Sequence, residues 1–157
     1  MNSYSPWNAE TARSIITAKQ SVPGGLLPIL HALQDEFGYV DRQAEPLIAE
    51  ILNLSRAEVH GVVTFYHDFR SAPPGRHVLK LCRAEACQST GGDTLAAYAE
   101  ARIGIALGNT TADGRISLEP VYCLGLCATA PSAMLNGRVV GRLDEKKLDE
   151  LLAEADR

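Results

Sequence analysis

The sequence lacks both a long apolar run and a concentration of basic residues. No stretch approaches 18 consecutive apolar residues, the length expected of a membrane-spanning helix. Lys and Arg number 15 against 19 Asp and Glu, and the net charge of −4 is spread evenly over the two halves of the chain. Nucleic-acid binders concentrate Lys and Arg on one face, and anionic membranes attract polybasic segments. The composition therefore indicates no nucleic acid and no membrane insertion.

Sequence motifs for nucleotides and for nucleophilic catalysis are also missing. There is no Walker A loop, no G-x-G-x-x-G following a strand and no G-x-S-x-G elbow, so we predict no catalytic residue and no nucleotide site in this chain. Residues 1–19 contain no apolar run of signal-peptide length, and we expect a cytoplasmic protein. In that compartment the four cysteines are better interpreted as ligands or redox groups than as disulfides.

The first half of the chain has the apolar periodicity of helices. Apolar residues recur at three- and four-residue steps, as in the predicted helix Leu26–Phe37, which is expected to end at Gly38. We predict four short helices in a small N-terminal bundle, residues 1–72. The segment Ser71–Gly75, with two prolines and a glycine, is the clearest linker in the chain.

The last helix of this bundle has a recognisable start. Ser55 and Glu58 have the spacing of a capping box, in which each side chain accepts a hydrogen bond from the other residue's backbone N–H. The apolar face that follows is predicted to extend through Tyr66 and Phe69, which we expect to lie in the core.

In residues 76–157 the spacing of apolar residues is no longer helical throughout, and we predict a second domain there. Its predicted elements are a strand over residues 77–81 ending at Cys82, a helix over residues 92–107, a strand around Ile116 and Leu118, a hairpin closed at Asn136-Gly137, and a last helix capped by Asp144. This order indicates a small α/β domain, and the whole chain is assigned to the α+β class.

All four cysteines lie in this second domain, in two pairs. Cys82 and Cys87 form a C-x4-C motif, and Cys123 and Cys127 form a C-x3-C motif. Each pair follows a predicted strand. Loops that leave neighbouring strands of one sheet come close in space, so the four thiolates can converge on one site.

Four interpretations of this site are open from the spacing. Structural zinc usually uses a two-residue spacing in at least one pair, and thioredoxin-type dithiols use C-x-x-C, which neither pair has. Disulfides fit poorly with a cytoplasmic chain. A [2Fe–2S] cluster needs two thiolates for each iron, and longer loops suit this larger group. The spacing therefore favours the cluster over zinc, a redox dithiol or disulfides.

The loop around the second pair favours the cluster further. Gly125 stands between Cys123 and Cys127 and permits a close approach of the backbone. Backbone N–H groups exposed there can donate hydrogen bonds to sulfur, which stabilise the reduced and more negative form of a cluster.

These motifs resemble the thioredoxin-like [2Fe–2S] ferredoxins, and among them the 24 kDa subunit of NADH-oxidising complexes such as respiratory complex I. The resemblance covers about residues 20–145. Besides the two cysteine motifs, the segments that carry it are Cys-Leu-Gly-Leu-Cys-Ala-Thr-Ala-Pro at 123–131, Gly24–Leu30, Phe37–Val40 and Val59–Tyr66. It implies a thioredoxin-like domain behind the helical bundle, and one [2Fe–2S] cluster ligated by Cys82, Cys87, Cys123 and Cys127.

The first cysteine loop departs from the complex I pattern. Complex I relatives usually carry Gly-Thr between the first two cysteines and Arg-Gly after them, whereas this chain has Cys82-Arg83-Ala84-Glu85-Ala86-Cys87-Gln88-Ser89. This segment resembles the gamma subunit of soluble, molybdenum-containing NAD-dependent formate dehydrogenases.

The resemblance implies a non-catalytic electron-transfer subunit. Its expected partners are a flavin- and NADH-binding diaphorase subunit and a larger iron–sulfur and molybdenum catalytic subunit. The equivalent subunit of an NAD-reducing hydrogenase diaphorase, or of complex I, is the nearest alternative. A zinc-stabilised interaction module is the alternative from a different class.

Overall fold

The computed structural model of the chain describes residues 4–156, which divide into two units, residues 4–73 and residues 74–156. The first unit consists of four helices: α1 Ala9–Lys19, α2 Leu26–Phe37, α3 Ala44–Leu52 and α4 Arg56–Phe65. No helix within residues 4–156 is both long enough and apolar enough to cross a membrane.

The helices of the first unit begin and end where local chemistry requires. Gly38 has a left-handed φ of 81°, and its N–H donates to the Gln34 carbonyl oxygen, which closes α2. Ser55 and Glu58 form the predicted capping box at the start of α4. The apolar faces meet in one core, and its largest fully buried side chains are Ile16, Ile29, Leu30, Leu33, Phe37, Ile48 and Val59.

Helix α4 is shorter than the sequence predicts. It ends at Phe65, so Tyr66 leaves the apolar face and is 43% exposed; the prediction of a core Tyr66 was wrong, whereas Phe69 is buried as predicted. The cause is a contact with α2. The buried side chain of Gln34 donates to the Asp68 carbonyl oxygen at 2.8 Å and accepts from the Arg70 N–H at 2.7 Å. These bonds hold the turn that follows α4 against α2.

The second unit combines a five-stranded mixed sheet with three helices. In chain order its elements are β1 His77–Cys82, α5 Glu85–Ser89, α6 Gly92–Ile103, β2 Asn109–Thr110, β3 Ile116–Val121, β4 Ala133–Leu135, β5 Arg138–Val140 and α7 Glu145–Ala155. The strand order is β2-β3-β1-β4-β5, and only the β1–β3 pair is parallel. The α+β class predicted for the chain is confirmed.

Most turns of this unit follow the sequence signals. Asn136 and Gly137 both have positive φ, 50° and 87°, and close the predicted hairpin between β4 and β5. The Asp144 side chain accepts from the Lys147 N–H and caps α7. Helix α6 stops four residues earlier than predicted, because Gly104 adopts a left-handed φ of 80°.

Candidate functional site

The two cysteine pairs lie at the same edge of the sheet because β1 and β3 are parallel neighbours. Cys82, the last residue of β1, stands in register with Val121, the last residue of β3. The Arg83 N–H donates to the Val121 carbonyl oxygen at 2.8 Å, so the pairing persists to the strand ends. Cys123 follows Val121 by two residues. The predicted convergence of loops from neighbouring strands is therefore present.

The first pair is buried. Cys82 is 4% exposed and Cys87 is 2% exposed. Cys87 is carried back toward the strand end by the short helix α5, which the sequence analysis missed because five residues are too few to show a helical period. The loop is anchored to α6 by an ion pair in which Arg83 Nη2 lies 3.0 Å from Asp93 Oδ1.

The second pair is exposed and lies on a tight loop. The Sγ atoms of Cys123 and Cys127 are 3.8 Å apart. Cys123 has a φ of 107° and Gly125 a φ of 75°, which folds the backbone around the first sulfur. The Gly125 N–H then donates to Cys123 Sγ at 3.3 Å, which confirms the predicted type of amide–sulfur bond. Cys127 begins a single 3₁₀ turn that ends at Thr129.

The four thiols influence one another electrostatically. Burial raises the pKa of Cys82, but hydrogen bonds from the Ala84 backbone, the Cys87 and Ser132 side chains and the Cys123 backbone outweigh it and leave that pKa lowered. The pKa of Cys127 is raised, first by a hydrogen bond and then by the charge of Cys123, with smaller contributions from burial and from Cys87 and Cys82. The charges of Cys123, Cys87 and Cys82 thus oppose ionisation of Cys127, and a bound cation removes that opposition.

The donor set fits an iron–sulfur cluster. All four cysteines are free thiols. Two sulfurs on one tetrahedral metal, with bonds of about 2.3 Å, lie about 3.8 Å apart, which matches the separation of Cys123 and Cys127. No three His, Cys, Asp or Glu side chains of residues 4–156 are grouped to hold a single metal ion. Two adjacent thiol pairs are the arrangement that a two-iron group requires.

A serine that sequence reasoning missed also lies at this site. Ser132 is 3% exposed, and its Oγ lies 3.5 Å from Cys87 Sγ. Its carbonyl oxygen accepts the Cys82 N–H at 3.0 Å. Serine is common in loops, so the sequence carries no signal for this contact; the pairing of β4 with β1 creates it.

The sequence pattern of one protein family, described as "Thioredoxin-like [2Fe-2S] ferredoxin", matches residues 12–156. The chain belongs to this family. The thioredoxin-like [2Fe–2S] ferredoxins carry one [2Fe–2S] cluster, and this is the cofactor of the chain. Their pattern includes the helical unit as well as the sheet.

Two relatives of this thioredoxin-like ferredoxin are subunits of different complexes. The chain is 32% identical over 145 residues to the NADP-reducing hydrogenase subunit HndA of Solidesulfovibrio fructosivorans, covering 90% of this chain and 85% of that protein. It is 37% identical over 123 residues to one of the subunits of NADH-quinone oxidoreductase from Pseudomonas aeruginosa, covering 78% of this chain and 74% of that protein.

A solved structure shares the fold of this thioredoxin-like ferredoxin. It is an NAD⁺-reducing [NiFe]-hydrogenase in the air-oxidized state, which matches with a TM-score of 0.72 and 30% identity. The match covers 88% of this chain but only 24% of the hydrogenase chain. The present chain therefore corresponds to about a quarter of that longer polypeptide.

Proposed function

We propose that the chain is the electron-transfer subunit of an NAD-linked oxidoreductase complex, with Cys82, Cys87, Cys123 and Cys127 as the ligands of its cluster. The observation that carries the proposal is the convergence of these four thiols at the ends of β1 and β3. When bound, the [2Fe–2S] group supplies one-electron chemistry. The protein supplies the thiolates, the hydrogen bonds to sulfur and the surface that a partner contacts.

The two pairs have different roles in this proposal. Cys82 and Cys87 are buried, so they shield one side of the site from water and fix it to the sheet. Cys123 and Cys127 are exposed, so they form the side that a redox partner can approach. The Gly125 N–H stabilises negative charge on Cys123.

The partner expected from this chemistry carries a flavin. NADH releases a hydride, that is two electrons together, whereas the site proposed here exchanges them singly. We therefore propose a flavin- and NADH-binding subunit as the neighbour, together with a larger catalytic subunit.

Three identities for that catalytic subunit have support. The segment Cys82–Ser89 favours an iron–sulfur and molybdenum subunit of a formate dehydrogenase, which is our proposal. The hydrogenase relatives favour hydrogen as the substrate of the complex, and complex I relatives favour a quinone-linked one. A direct comparison of formate, hydrogen and quinone as substrates distinguishes these identities.

We also propose that residues 1–72 and 76–157 act as separate domains, a scaffold and a cluster domain, joined by the segment Ser71–Gly75. Support comes from the division of the described chain between Pro73 and Pro74, and from the position of all four thiols beyond it. Free thiols are also in keeping with the proposed cytoplasmic location.

The ligand set is tested by anaerobic reconstitution with iron and sulfide. We expect the parent chain to be brown, to bleach with dithionite and to contain stoichiometric iron and sulfide, whereas Cys87→Ala and Cys127→Ala lose the colour and the iron. Ser89→Ala is the matched control, because its hydroxyl bonds only to the Ala86 carbonyl oxygen among the described residues. Stoichiometric iron in either alanine variant, or a colourless parent that holds zinc, contradicts the assignment.

The electron-transfer role is tested by adding partners. The reconstituted chain, free of flavin, is mixed with NADH or formate and a one-electron dye, and we expect no dye reduction. Activity is expected only with the flavin subunit and the catalytic subunit present, and formate, hydrogen and quinone are then compared as substrates. Sustained dye reduction by the chain alone contradicts a non-catalytic role.

A further inference from the structure

We propose that Ser132 is a positioning residue that raises the reduction potential of the site by donating its hydroxyl hydrogen bond to the buried cysteine pair. The inference rests on the proposed function, because it takes Cys82 and Cys87 as ligands. It adds a residue outside both cysteine motifs to the groups that set the electron affinity of the site.

Ser132 is attached to both members of the buried pair. It lies between Pro131 and the first residue of β4, and it is 3% exposed. Its Oγ is 3.5 Å from Cys87 Sγ, and its carbonyl oxygen accepts the Cys82 N–H at 3.0 Å. The backbone bond fixes the residue, so the hydroxyl is held beside the sulfurs.

The direction of the hydroxyl bond follows from the state of the sulfurs. Between a serine and a neutral thiol either group can donate. A thiolate has no proton, so when Cys87 and Cys82 bind metal the Ser132 hydroxyl is the donor. Among the described residues, the hydrogen-bond partner of its side chain is Cys87 Sγ. A buried hydroxyl without a partner is costly, so the bond is retained rather than exchanged for water.

The bond is stronger in the reduced state. One-electron reduction, with the electron taken from an external donor, adds one negative charge that is shared by the sulfur ligands. A hydrogen bond donated to those ligands strengthens as their charge increases. The proton stays on Ser132 Oγ, so no proton transfer accompanies the electron. The hydroxyl therefore favours reduction, and its removal is expected to favour the oxidised state.

The experiment is a redox titration of the reconstituted full chain, followed by electron paramagnetic resonance of the reduced form. In Ser132→Ala we expect the ratio of oxidised to reduced protein at a fixed ambient potential to rise about threefold to tenfold, where tenfold corresponds to about 59 mV for one electron. Ser132→Thr keeps the hydroxyl and is expected to stay near the parent ratio.

Ser117→Ala is the matched control for removal of a buried hydroxyl from the same sheet. Ser117 is also 3% exposed, but its hydroxyl accepts the Gly75 N–H and bonds Thr110 Oγ1 rather than sulfur. We expect this variant to lose stability while keeping the parent redox ratio. A change of ratio in Ser117→Ala as large as that in Ser132→Ala means that destabilisation of the sheet causes the shift, and the proposal is then wrong.

The remaining outcomes separate this inference from the proposed ligand set. If the parent chain takes up no iron and sulfide, the ligand assignment fails and the role of Ser132 falls with it. If Ser132→Ala holds full iron with the parent ratio, only the role of Ser132 is refuted. If Ser132→Ala does not hold iron, Ser132→Gly removes the same hydroxyl without adding a possible ligand, and its ratio must shift in the same direction; an unchanged ratio refutes the proposal.

Discussion

Replacing Gly92 by alanine tests how the first cysteine pair is positioned. Gly92 is the first residue of α6, and a Cβ placed there would lie 2.6 Å from the Cys87 carbonyl oxygen and 2.9 Å from the Cys87 carbonyl carbon. Both are backbone atoms, so no side-chain rotation relieves the clash. Ordinary contact begins near 3.4 Å, so α5 and α6 must separate by about 0.8 Å.

The cost follows from that displacement. Overpacking of a well-packed site typically costs about 1–3 kcal/mol. Alanine recovers at most about 0.5–1 kcal/mol over glycine within a helix. We therefore expect Gly92→Ala to lower the free energy of unfolding by about 1–2 kcal/mol. Because Cys87 is the residue displaced, we also expect a loss of bound iron.

Gly104→Ala is the matched control at the other end of the same helix. Gly104 has a φ of 80°, and a Cβ at this position would have nothing within 4 Å, so alanine is strained there without contacting the site. A left-handed alanine costs about 1–2 kcal/mol, a similar loss of stability. Urea unfolding of the iron-free chains measures stability, and iron per chain after reconstitution measures the site. Full iron in Gly92→Ala, or equal loss of iron in Gly104→Ala, would refute the reasoning.

Two further predictions concern stability. Gly61→Ala should raise the free energy of unfolding of the helical unit by about 0.5–1 kcal/mol, since Gly61 lies within α4 with open space around it; an unchanged or lower urea midpoint contradicts this. Hydrogen bonds from Arg102 and then Tyr98 lower the pKa of Asp149, so its stabilising contribution is present above the unfolded pKa of about 3.9 and is lost as the pH falls through the folded pKa. The iron-free parent should therefore exceed Asp149→Asn in urea midpoint near neutral pH, with the difference shrinking in acid; a constant difference argues against the linkage.

Local signals in the sequence were sufficient for most elements. Three of these signals are the Ser55 capping box, the glycine at the end of α2 and the Asn136-Gly137 turn. Each involves only a few neighbouring residues, so the structure it forms does not depend on distant contacts. The position of the thiols at neighbouring strand ends also followed from the alternation of strands and cysteines.

The features that the sequence did not predict depend on tertiary contacts or on short length. The end of α4 is set by Gln34 on another helix, and no residue pattern near Phe65 predicts it. Helix α5 has five residues, too few for a period to be visible. The contact of Ser132 with Cys87 exists only after β4 pairs with β1.

The parallel register of Cys82 with Val121 has a consequence for how such a chain can change in evolution. The sulfurs lie close together because β1 and β3 end at the same edge of the sheet. The number of residues between the two cysteine pairs does not affect this arrangement. Insertions at the turn around Asp113 and Gly114, which precedes β3, would lengthen that connection and leave the strand ends in place. Deleting one residue inside β1 would instead turn Cys82 to the opposite face of the sheet. We therefore expect the number of residues within each cysteine pair to vary far less among related chains than the number of residues between the two pairs.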